Sequence, residues 1–161
     1  MNNEDRGQSL KDICESVVSD GDFAPSGGKT HCNAASLLIA QTMGCAEFDH
    51  GIGEEPLLAD AMIGLMESNS SGKWKAVNGS QAAIHALGGG LGFASKPSFA
   101  LGDAHGHIAA IFPLGMQWSN SLKKDVPMIA NCGRLNGIMK VSQAFPVAKG
   151  EPSYFIWDHL G

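Results

Sequence analysis

Basic runs are missing from this chain. Charged residues make up only 17% of it, and the formal net charge is −5. A nucleic-acid binder needs a positive patch to neutralise phosphates, so that class is set aside. Long apolar runs are missing too: no stretch approaches the roughly 20 residues of a membrane span. The start, MNNEDRGQSLKDICESVV, carries acidic residues at a helical period and lacks a basic start followed by an apolar run. It is not a standard secretory signal, so work outside the cytoplasm would require another route of export. Paired zinc spacings such as C-x-x-C are absent among the four cysteines, Cys14, Cys32, Cys45 and Cys132. A chain of 161 residues does not need disulfides, and these cysteines read first as small hydrophobes or individual thiols. Internal repeats, low-complexity tracts and linkers are absent as well, which leaves one domain over 1–161.

What is present is an apolar fraction of 43% and 21 glycines, which fit a compact core joined by tight turns. Four helices are predicted. The first is capped by Ser9 and ends near Gly21. The second runs from about Cys32 to Met43, with Gly44 as a left-handed cap. A third spans 54–68, with Pro56 in its first turn, and a fourth spans 81–87 behind Ser80. The period then changes, and 91–95, 107–112, 127–132 and 153–158 read as strands. The segment MKVSQAF (139–145) suits a strand or a helical turn. Helices first and strands later indicate an α+β domain, with N-terminal helices packed on a mainly antiparallel sheet. Trp74 and Trp157 are expected in the core, and Trp118 in an exposed loop.

GGKTHCNAASLLIAQTMG (27–44) places a thiol at the start of an apolar helix. Unpaired N–H groups and the helix dipole there favour thiolate, and can lower a cysteine pKa by about one unit to several. The same N–H groups can hold an oxyanion. His107 opens an apolar strand, where His107, Ala109 and Ile111 share one face. The small Ala109 leaves room for a helix to approach, which would bring Cys32 and His107 together as a nucleophile and base. A third group usually orients such an imidazole. Asn131 and Cys132 face opposite ways on the next strand, so only one can serve; Asn131 is preferred for its amide oxygen. The competing reading is a metal-dependent hydrolase built on His105 and His107, with Asp103 as the nearest further ligand. A non-catalytic wall-binding module is another. GGGLGFAS follows a helix and enters a strand, the reverse of a phosphate loop. Cys14 and Cys45 read as packing residues, and His50, His85 and His159 have no evident partners.

GKTHCNAASLLIAQTMG, ADAMIGLME…KWKAV, SQAAIHALGGGLGFAS, GHIAAIFP and VPMIANCG come in an order that resembles the papain-like NlpC-type and CHAP-type amidases of bacterial cell walls. The likeness is greatest to the peptidoglycan amidase effectors of type VI secretion, and covers roughly 27–158. It implies a papain-like fold, Cys32 as nucleophile and His107 as base. The third position matches Asn131 or Cys132, because relatives show either a polar residue or a cysteine there. Relatives often carry an aromatic residue where this chain has Ala35. The resemblance further implies hydrolysis of a stem-peptide amide, between D-glutamate and the diamino acid, with no cofactor. It implies delivery to a target-cell periplasm and an immunity protein that plugs the groove. His31, Asn33, Asp103 and His105 are the candidate substrate-binding residues, with SKPSFALGDAHG (95–106) rimming the groove.

Overall fold

The computed structural model describes residues 2–158, and His159 lies outside that range. The chain is α+β, with helices packed on a six-stranded sheet in which every ladder is antiparallel. The elements are α1 (Asn3–Ser19), α2 (Cys32–Thr42), α3 (Ala59–Ser68), β1 (Trp74–Val77), α4 (Gly79–Leu87), β2 (Gly92–Lys96), α5 (Ser98–Leu101), β3 (His107–Ser119), β4 (Lys124–Cys132), β5 (Asn136–Lys140), α6 (Val141–Ala144) and β6 (Ser153–Trp157). The strand order is β1-β6-β2-β3-β4-β5. Helix α1 lies against α2 and strands β3 to β5, and α2 lies against β3. Among the described residues no helix is long and apolar enough to cross a membrane.

Several boundaries differ from the sequence reading, each for a local reason. Helix α1 starts at Asn3 instead of behind Ser9. Asn2 accepts from the Asp5 N–H at 2.8 Å, and Asp5 accepts from the Asn2 N–H, so a capping box sets the earlier start. Helix α3 starts at Ala59, so Pro56 lies ahead of it. Helix α4 is capped by Asn78, not Ser80: Asn78 and Gln81 satisfy each other's N–H groups at 2.8 and 3.0 Å. Trp74–Val77, expected only as a lead-in to that helix, pairs with β6 as an edge strand. Strand β3 continues past Pro113 to Ser119, so Trp118 is an exposed strand residue. The register shifts between Ile111 and Met116, and this bulge lifts Pro113 out of the ladder. MKVSQAF divides: its first two residues finish β5, and α6 follows.

The core gathers on Phe48, which precedes α3. Its ring stacks on Trp74 at 5.6 Å and tilts against Phe93 at 5.5 Å. Trp74 and Trp157 are buried and face each other across β1 and β6. Both indole N–H groups donate to the carboxylate of Glu47, at 3.1 Å from Trp74 and at short range from Trp157. One carboxylate thus ties the sheet edge to the loop after α2.

Glu47→Ala strands two indole donors, so we expect it to lower stability by about 2–3 kcal/mol. Urea denaturation should show the loss as a lower midpoint at unchanged slope. Glu47→Gln keeps one acceptor and should lose less.

Candidate active site

The approach to Cys32 is a tight turn. Ser26 and Lys29 exchange backbone hydrogen bonds at 3.0 and 2.9 Å, with Gly27 and Gly28 between them at φ +56° and +77°. A two-residue turn with both central residues left-handed favours glycine at each. It delivers Thr30, His31 and Cys32 to the start of α2.

Cys32 is 7% exposed. Burial pushes its thiol above the ordinary value; the N–H groups of Ile108, Asn33 and Cys32 itself pull the other way and do not win. This corrects the expectation of a lowered pKa: at rest the sulfur is a protonated thiol. The contact with the Ile108 N–H sets the sulfur against the residue that follows His107. The sulfur also neighbours Cys132, the residue that follows Asn131, since a charge on Cys32 would help push Cys132 up. The start of α2 therefore meets the start of β3 and the end of β4 at one point.

His107 is half-buried, and burial lowers its pKa below 6.5, partly offset by Asn131. Its Nε2 lies 2.6 Å from Oδ1 of the buried Asn131. The Asn131 Nδ2 donates to the Leu135 carbonyl at 2.7 Å, which fixes the amide so that oxygen faces the imidazole. Nε2 must then carry the proton, and Nδ1 is left as the bare acceptor. The ring also meets that of Phe145, tilted by 51° and centroid to centroid at 4.9 Å. Cys132 is turned away, its thiol directed at the Val17 carbonyl at 3.7 Å. Between the two candidates for the third position, Asn131 is the one that touches His107.

These residues border a cleft of about 390 Å³ lined by Asp103, His105, His107, Asn131, Arg134 and Phe145, among others. Cys32 is not one of the residues that line it. His31 and Asn33 do not line it either. Asn33 instead donates to the Leu57 carbonyl at 3.0 Å, tying α2 to the segment before α3. Asp103 and His105 do line the cleft. Asp103 also accepts from the Ala104 N–H at 2.7 Å, as a turn residue does. The proposed metal pair loses its premise of a shared strand face, because β3 begins only at His107. Among the described residues no three His, Cys, Asp or Glu side chains form a metal-binding group. His85, expected to lack a partner, reaches the Trp157 carbonyl at 3.2 Å.

Two long-range supports of the cleft are not legible in the sequence. Asp60 of α3 accepts from the Ser98 N–H at 2.9 Å and from the Ser98 hydroxyl, so a carboxylate from a distant helix caps α5 and anchors the rim. Gly106 gives that carboxylate room, since a Cβ there would fall 2.4 Å from Asp60 Oδ1. Lys96, directly across the ladder from His107, is 7% exposed. Its ammonium donates to the carbonyls of Lys149, Gly150 at 2.9 Å and Glu151 at 3.1 Å. This fastens the segment that follows Phe145 and Pro146, both cleft residues. The only available signals were a glycine between two histidines and a lysine inside an apolar strand.

The site rests as neutral thiol and neutral imidazole, which has two measurable consequences. Alkylation of Cys32 by iodoacetamide, followed by peptide mass spectrometry, should accelerate with pH up to and beyond 9. A rate plateau between pH 5 and 8 would instead indicate a preformed thiolate–imidazolium pair. The lowered His107 pKa also means that the unfolded chain binds its proton first. Stability should therefore fall as pH drops through 6.5, and His107 ceases to contribute to the slope below its native pKa. His107→Gln should flatten that part of the curve.

In comparison with known proteins, no protein-family model and no curated protein matches this chain.

Proposed function

We propose that this protein is a cysteine amidase of papain-like fold. The observation that carries the proposal is the Asn131–His107 hydrogen bond, which leaves Nδ1 bare at a junction that also holds the thiol of Cys32. A nucleophile, a base and an orienting amide then come from one helix start and two adjacent strands, the arrangement expected of nucleophilic acyl transfer.

A peptide amide enters the cleft and its carbonyl carbon approaches Cys32. Nδ1 of His107 takes the thiol proton as sulfur bonds to that carbon, so charge appears only as the bond forms. The N–H groups of Cys32 and Asn33, which now favour the sulfur, stabilise the developing oxyanion. The imidazolium gives its proton to the leaving amine, and a thioester remains on Cys32. Water, activated by the same imidazole, releases the acid and restores the thiol. Asn131 stays neutral throughout and keeps the ring in one tautomer.

The family resemblance of the motifs supplies the substrate: stem peptides of peptidoglycan, cut between D-glutamate and the diamino acid. On the same ground, the protein is an antibacterial effector delivered by type VI secretion into a target-cell periplasm, and a cognate immunity protein covers the cleft in the producer.

Muropeptide digests analysed by mass spectrometry test this reading. The wild-type chain should release a new amine and carboxylate at one stem-peptide bond, and Cys32→Ala should release none. Asn131→Ala should cost about 10²-fold in kcat or more, at the lower end of what general-base help supplies. A chelator should leave cleavage unchanged. Equal cleavage by wild type and Cys32→Ala would reject the nucleophile.

A further inference from the structure

Among the described residues that line the cleft, two carry a formal charge, Asp103 and Arg134. Asp103 is turned in on its own loop through the Ala104 N–H. Arg134 is one of two arginines in a chain of net charge −5. It is exposed and, among the described residues, forms no ion pair.

The backbone that presents Arg134 is held on both sides. It belongs to the turn 133–135 between β4 and β5. Asn131 Nδ2 donates to the Leu135 carbonyl at 2.7 Å, and Asn136 Nδ2 donates to the Phe23 carbonyl at 2.7 Å. Gly133 lets the turn lie against the imidazole, since a Cβ there would stand 3.2 Å from His107 Cε1. Asn131 thus fixes two things at once: the tautomer of His107, and the turn that carries the guanidinium. The root of Arg134 is set relative to the base before any ligand arrives, which lowers the ordering cost of binding.

We propose that Arg134 anchors a carboxylate, and that the cleft takes peptides with a free carboxylate next to the amide presented to His107. A guanidinium offers a planar pair of N–H donors that matches a carboxylate, and such charge-assisted pairs exceed neutral hydrogen bonds in strength. The identity of the adjacent amide rests on the amidase reading. The carboxylate preference is a property of binding and exists whether or not the bond is cut.

The test uses the full chain carrying Cys32→Ala, so that nothing turns over. Two γ-linked D-glutamyl peptides are compared by calorimetry, identical except that one has a free α-carboxylate and the other an α-carboxamide. The acid should bind about 10- to 100-fold more tightly, the range expected of a hydrogen bond to a charged group. Adding Arg134→Gln should bring the two peptides within about twofold of each other, and Arg134→Lys should restore part of the gap. Equal binding of acid and amide overturns the proposal, as does a preference that survives Arg134→Gln, or binding of neither peptide. The unmodified chain is assayed separately for cleavage of the same peptides. An Arg134-dependent preference without cleavage upholds the anchor and rejects the amidase.

Discussion

The hydrogen bond between Asn131 and His107 is the constraint on which the rest of the site depends. It joins β3 to β4 at the cleft, and it works because Asn131 is buried and its other end is already engaged. A free amide would serve either tautomer by flipping. This one cannot flip without setting its NH₂ against the imidazole and its oxygen against the Leu135 carbonyl. Even with the ring in its other tautomer, the hydrogen bond to Leu135 would be lost from a buried amide, where an unmet polar group costs about 1–3 kcal/mol. The proton on His107 is thereby assigned by the neighbouring turn, and the base nitrogen with it.

Burial then decides the charge states. Helix position alone argues for a thiolate at Cys32, because N–H groups and the dipole converge there. Enclosure argues against it and wins. The same enclosure keeps His107 neutral. An uncharged pair avoids placing a thiolate and an imidazolium in a poorly solvated spot. The surrounding supports fit this economy of charge. Asp60 caps a short helix from a distance, and Lys96 is held by main-chain carbonyls instead of a carboxylate.

Much of the architecture was legible because it rests on local rules. The α+β division followed from the change of period near residue 91. The apolar stripe of α2 and its Gly44 terminator were visible in the sequence, as was the alternation after His107. Asn131 was preferred to Cys132 on chemistry alone, and of the two it is the one hydrogen-bonded to His107. What was missed depends on contacts remote in sequence. Asp60 acts on Ser98 and Lys96 acts on residues 149–151, partners that no periodicity links. Strand β3 was cut short at Pro113 because a bulge leaves no clear mark in a single sequence. The start of α4 went to Ser80 because serine is a good cap, while the adjacent Asn78 and Gln81 form a better box. The thiol's charge was misjudged for a related reason: helix position can be read from a pattern, but depth of burial requires the fold.

The most direct test is the tautomer of His107, read from its imidazole ¹⁵N shifts and long-range couplings by NMR at neutral pH. The account predicts a neutral ring with hydrogen on Nε2 and a bare Nδ1, and a loss of that preference in Asn131→Ala. A proton on Nδ1 in the wild-type chain, or a ring already cationic at pH 7, would contradict it.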